Sequence, residues 1–375
     1  MHLFIILVVM ILLAPMAAYS YVPFGNGAYV FDFRYDTEGH KKGHHPGLFI
    51  GQINEYNRAA SKEHRITQLF IYAGDMEMYC LGSGGSRSDK PCKPDDLMIF
   101  YGNGSRSTKA YSESINTAEN PVDIVAVVDG RVDTKGKNDY LHSLNTLSYK
   151  DAIIYADKVA RLFCNDSRVS GVQFDIEPFD MNQKGQYYFF QQIAKDFAGK
   201  NHSTADDRNT IHCVDGDHPK GRYFSVFTNS YHIDAQVGQV LNQYQNGYVI
   251  DALYDLGSHD KGVATPPEEY RRLVNIEMIK ILSIANQYHV KFQLAIPVAA
   301  TEHEFESRAG HLSGYHQLDY IKAAFSAMNE KKVRENANFL GVVTWVFEER
   351  MMLGGHEYTP SKPDEKTGSY LMKNL

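Results

Sequence analysis

A chain of 375 residues exceeds one average domain, yet single α/β domains of this length are common, so domain count has to come from pattern. The 38 basic side chains are outnumbered by 45 acidic ones and form no basic block, which leaves no built-in attraction to a phosphate backbone and excludes nucleic acid as an expected partner. Aromatic residues make up 12%, with 25 Tyr against a single Trp, a composition that suits stacking on sugars and equally a Tyr-rich core.

The chain opens with an almost unbroken apolar run from Leu3 to Leu13, then small residues and Ala18-Tyr19-Ser20. This pattern predicts a signal peptide over residues 1–20 with cleavage near Ser20, leaving 21–375 as one domain. The run is shorter than the ~20 residues needed to cross a bilayer, and no later stretch is apolar enough to span. The expectation is a secreted or periplasmic protein with no stable membrane insertion after cleavage. In an oxidising compartment Cys80, Cys92, Cys164 and Cys213 favour disulfides over thiols. Three connectivities are possible; Cys80 with Cys92 would close a Gly/Ser-rich loop, and Cys164 with Cys213 would join the two ends of one βα segment. Their spacings fit no zinc pattern, so no metal is expected. Asn103, Asn165 and Asn201 each head an Asn-x-Ser sequon.

Apolar, β-rich runs then recur at fairly even intervals: Tyr29 to Arg34, Ile66 to Ala73, Val122 to Val128, Val169 to Ile176, Tyr223 to Thr228, Tyr248 to Tyr254, Lys291 to Pro297, and Phe339 to Phe347. Several, such as Ile124-Val125-Ala126-Val127-Val128, have no polar alternation, as parallel strands covered on both faces require. Helical patterns lie between most of them. Asp151 to Phe163 places Ile153, Ile154, Ala156, Val159, Ala160 and Phe163 on one side, and Pro266 to Tyr288 opens with Pro-Pro-Glu-Glu, a helix start. Strand and helix alternating in this way predict an α/β fold, a closed (β/α)8 TIM barrel in a single domain with long loop insertions. The longest insertion, Gly74 to about Asn120, follows a strand and belongs to the mouth of the barrel; a polar segment from Gly199 to Lys220 precedes one and belongs to the opposite face. His40, His44 and His45 fall in a Lys- and Gly-rich stretch without a spaced partner acid and read as a solvated loop rather than a metal cluster.

Barrels carry their chemistry at the C-terminal ends of strands. The fourth ends Gly171-Val172-Gln173-Phe174-Asp175-Ile176-Glu177-Pro178, and strand alternation directs Gln173, Asp175 and Glu177 into the barrel mouth while Val172, Phe174 and Ile176 face the helices. Polar groups aimed into a core are costly unless paired or functional. Two neighbouring carboxyls also raise the proton affinity of one of them, and a carboxylic acid is what glycoside cleavage needs for its leaving group. The competing reading is a structural acidic pair.

In these residues the chain resembles the family-18 glycoside hydrolases. Ser170-Gly171-Val172-Gln173-Phe174-Asp175-Ile176-Glu177 is similar to their fourth-strand motif with its last Asp and its Glu kept, and Ala252-Leu253-Tyr254-Asp255 to their Met-x-Tyr-Asp. Leu294-Ala295-Ile296-Pro297 resembles their Gly-aliphatic-Pro strand, and Trp345 falls on strand eight, where the family floors its sugar site with Trp. The resemblance implies substrate-assisted cleavage of a glycan containing N-acetylglucosamine, without metal or cofactor. It implies Glu177 as the acid, Asp175 as the acceptor of the acetamido N–H, Tyr254 as donor to the acetamido oxygen, Asp255 as a further contact and Trp345 as the stacking floor. The departures are Ser170 and Gln173, which replace the first two acids of the motif, and Val127-Val128-Asp129-Gly130, which lacks the family's Ser-x-Gly-Gly. Gln173 can still donate a hydrogen bond to Asp175, which would favour its charged form, and it is expected to line the substrate site. Glu348, with Glu349, ends the eighth strand and is read either as a group facing Glu177 or as the start of a helix. Beside the enzyme stand a silent family-18-like lectin and a barrel with no carbohydrate role.

Overall fold

A computed structural model describes residues 22–32, 46–76, 111–112, 121–131, 144–200, 211–253, 256, 265–298, 314–350, 352–353, 356–357 and 363–375. The expected signal peptide, the His40–His45 stretch, Cys80, Cys92, Asn103, Asn201, Tyr254 and Asp255 lie outside these residues.

Eight strands close into a parallel barrel in chain order: β1 (Asn26–Asp32), β2 (Ile66–Asp75), β3 (Asp123–Arg131), β4 (Gly171–Glu177), β5 (Tyr223–Thr228), β6 (Gly247–Ala252), β7 (Phe292–Pro297) and β8 (Phe339–Arg350), with β1 pairing β8. Around them lie α1 (Pro46–Ala59), α2 (Tyr149–Cys164), α3 (Lys184–Phe197), α4 (Ala235–Asn242), α5 (Pro267–Tyr288), α6 (Gln317–Met328), the short α7 (Lys331–Arg334) and a terminal α8 (Glu365–Asn374). The expected (β/α)8 barrel is therefore the fold. Strand boundaries differ at the mouth: β2 and β3 run two to three residues further, and β8 continues to Arg350, so Glu348 and Glu349 lie within a strand and start no helix.

The α2 helix shows how the sequence sets local structure. It begins two residues earlier than its apolar pattern indicates because Ser148 caps it, its Oγ accepting from the Asp151 N–H at 3.2 Å. Its buried face is Ala152, Tyr155, Ala156, Val159, Ala160 and Phe163, a 3.6-residue repeat that leaves Ile153 and Ile154 on the flanks, only half-buried. It packs on α3, and Cys164 at its end is joined to Cys213, which selects that disulfide from the possible connectivities.

Two cores result. Outside the barrel, Phe174 of β4 meets Phe189 and Phe190 of α3 at 5.7 and 5.5 Å between ring centroids. Inside, Tyr29, Phe70, Val125, Val127, Tyr223, Tyr248, Ile250 and Val343 fill the lumen. Gly171 serves this inner packing: a Cβ there would sit 2.2 Å from the ring of Tyr223, so only glycine leaves room for it. Among the described residues no helix is long and apolar enough to cross a membrane.

Candidate active site

The alternation read from β4 is present. Val172, Phe174 and Ile176 are buried towards the helices, Gln173 is buried inside, Asp175 is half-buried and Glu177 is exposed at the open end. Burial thus falls stepwise along the inward row, placing Glu177 where a bulky substrate can reach it.

Neighbouring strands add to this row. Val125 and Val127 of β3 point into the lumen, so Asp129 continues the same face, and its backbone is in register with Asp175, as Arg131 is with Glu177. On β2 the register slips between Tyr72 and Gly74, and the slip brings the backbone of Asp75 level with Asp129. Three adjacent strands therefore carry an aspartate at one level near their C-terminal ends.

Tyr29 of β1 is fully buried in the lumen and stacked on Phe70 at 4.7 Å. Burial holds its phenol well above the ordinary value, and the charge of nearby Asp175 and then Tyr248 push it further in the same direction, so Tyr29 remains a neutral hydroxyl. The other side of its ring meets Trp345 edge-on, with centroids 4.8 Å apart at 69°. Trp345 is half-buried in the lumen and also stacks against Phe227 of β5 at 6.3 Å. Tyr29 thus touches Trp345 and feels the charge of Asp175.

Gln173 behaves differently from its expected role as donor to Asp175. It is fully buried between Val127 and Ser225 in the register, and among the described residues neither its Nε2 nor its Oε1 has a hydrogen-bond partner. Glu348 pairs through its backbone with Val30, after a register slip on the β1–β8 edge that leaves three residues of β8 against one of β1. For Tyr254 and Asp255 the described structure stops one step short, at Leu253.

Tyr29, Asp129 and Phe227 were not singled out by the sequence. A signal existed for Asp129, because β3 ends an apolar run with an acid as β4 does; none existed for Tyr29, whose strand shows only a Tyr between small and apolar residues. Among the described residues no group of three or more His, Cys, Asp or Glu could hold a metal ion.

No protein-family model matches the chain, and no curated protein matches it. Solved structures do resemble it in shape. XacCel5A has 9% identity over 94% of this chain and 98% of its own, with a TM-score of 0.50. A GH5-4 broad specificity endoglucanase from an uncultured bovine rumen ciliate has 9% identity over 93% and 94%, also with a TM-score of 0.50. A GH18 chitinase from Pseudoalteromonas aurantia has 12% identity over 86% and 94%, with a TM-score of 0.43. These likenesses distinguish no single family. At these identities the property shared with this chain is the (β/α)8 barrel.

Proposed function

We propose that the barrel mouth binds and cleaves a glycan containing N-acetylglucosamine, with Glu177 and Asp175 as the reacting carboxyls. The observation that carries this reading is the inward row of β4, with Asp175 half-buried and Glu177 exposed at the open end of a lumen that holds Trp345 edge-on to Tyr29. A sugar ring offers an apolar C–H face to such a surface and a polar edge to such a carboxylate.

In the proposed reaction Glu177 gives its proton to the glycosidic oxygen as the bond to the anomeric carbon breaks, and the leaving sugar departs as an alcohol. The acetamido oxygen of the substrate attacks the same carbon and forms a cyclic cation, whose N–H is held by Asp175. Water then opens the ring, passing a proton to the Glu177 carboxylate and restoring the acid. Tyr254 is assigned as a donor to the acetamido oxygen, Asp255 and Glu348 as flanking contacts and Trp345 as the floor; Gln173 supports the site from below. Metal and cofactor have no part in this scheme. The substrate is assigned from the residues at the mouth, since a shared barrel carries no substrate with it.

A second reading is a sugar-binding barrel that does not cleave. It is favoured by Gln173, a neutral and unbonded amide directly below Asp175 on the same strand, which offers no carboxyl to share a proton. Glu177→Gln separates the two. Release of a reporter from N-acetylglucosaminides that disappears in the variant, with oligosaccharide binding kept, supports the enzyme; binding without release in the wild type supports the lectin; equal release by both proteins removes Glu177 as the acid.

A further inference from the structure

The loops that follow β4 and β5 are built as one surface beside Glu177. Asn182 donates from Nδ2 to Asp234 Oδ2 at 3.3 Å, bridging the two loops. Asp180, three residues beyond Glu177, accepts from the Asn182 N–H at 2.9 Å and from Gln183 Nε2 at 3.1 Å, and lies close enough to His232 for the two to attract. Asn182 and Gln183 are exposed.

On this surface stands Tyr231, 69% exposed, in a short turn that follows β5 at the mouth. Its ring is held on two sides despite that exposure. The imidazole of His232 packs 4.2 Å from it, and Asn229 Nδ2 donates to its Oη at 3.3 Å. The turn itself is closed by the His232 N–H to Asn229 O and the Ile233 N–H to Ser230 O, both at 3.1 Å. An aromatic ring left in water gains little for the fold, whereas a ring fixed in place loses little entropy when a ligand covers it.

We propose that Tyr231 is a stacking platform for a second pyranose ring of an oligosaccharide, on the β5 side of Glu177, with the Asn182 and Gln183 amides at the sugar's hydroxyl edge. The proposal rests on the carbohydrate reading of the mouth and extends it: the substrate is a chain of sugars lying across the β4–β5 rim rather than a single terminal residue. A flat face suits β-linked gluco-configured pyranoses, whose substituents are equatorial and whose axial C–H bonds line both faces of each ring.

The test is calorimetric binding of N-acetylglucosamine, of its β-linked oligomers and of β-linked glucose oligomers to the wild-type chain, Tyr231→Ala and Tyr231→Phe. The expected result is that Ala weakens oligomer binding about tenfold, leaves the monosaccharide unchanged and does not lower the melting temperature, while Phe keeps most of the affinity. Oligomer binding undiminished in Tyr231→Ala, or weakened no more than that of the monosaccharide, overturns the platform. If glucose oligomers alone bind and lose affinity in Tyr231→Ala, the platform stands and the acetamido reading falls; if no sugar binds the wild type, both fall.

Discussion

Asp129 and Asp175 occupy partnered backbone positions on β3 and β4, both on the face that lines the barrel. Register neighbours in a parallel sheet have backbones about 5 Å apart, close enough for two carboxyls on the same face to interact. On the proposed reading of the mouth, Asp129 is the carboxyl that would share a proton with Asp175, in place of one at position 173. Asp129→Asn removes that neighbour. The expected outcome is a fall in kcat of about tenfold or more, with the acid limb of the pH–rate profile moved to lower pH because Asp175 ionises more readily. An unchanged rate and profile would show that the two carboxyls do not act together.

Trp345 is the only tryptophan in the chain, so its emission reports one place. That place is the lumen, between Tyr29 and Phe227. Ligand stacking on Trp345 is expected to change intrinsic fluorescence saturably, with a midpoint equal to the calorimetric Kd, and Trp345→Phe to raise KM more than it lowers kcat. Saturating sugar that leaves the emission untouched, in a sample where calorimetry records binding, would remove Trp345 from the site.

Much of this arrangement is legible in the sequence, for a physical reason. Strands covered on both faces must be apolar, so a polar residue at their ends is conspicuous, and Asp175 and Glu177 stood out against Val172, Phe174 and Ile176. Two-residue alternation then gave their direction. What alternation cannot give is which strands lie at equal height, because that depends on barrel stagger and on slips such as the one between Tyr72 and Gly74. The Asp75–Asp129–Asp175 row and the contact of Tyr29 with Trp345 were hidden for that reason. The expected bond from Gln173 to Asp175 failed on a related point: successive inward residues on one strand are almost 7 Å apart, too far for a buried amide to reach upward unless it leaves its own layer.

Asp251 offers a pH test remote from the mouth. It lies on the outward face of β6, between the buried Val249 and Leu253, and is fully buried. Facing it from α5 is Glu277, also buried, whose Oε1 accepts the Ser230 N–H at 3.0 Å and whose Oε2 lies 3.4 Å from Lys280 Nζ. Burial first, and then the Glu277 charge, raise the Asp251 carboxyl well above the usual range, while the charge of Lys280 pulls it down. The folded chain therefore holds a proton that an unfolded Asp, with a pKa of about 3.9, releases. Between that value and the raised one the folded state binds more protons than the unfolded, so its stability falls with rising pH, by up to about 1.4 kcal/mol per pH unit from this group. The contribution is fully present below pH ~4 and is lost as pH rises towards the raised value. Asp251→Asn copies the neutral acid and has nothing to release. Urea midpoints from pH 5 to 9 are expected to decline less steeply for the variant than for the wild type, so that any deficit of the variant at pH 5 shrinks or reverses by pH 8. Parallel curves for the two proteins would mean that Asp251 is already ionised in the folded chain at pH 5, and that Lys280 and the Ser230 N–H outweigh its burial.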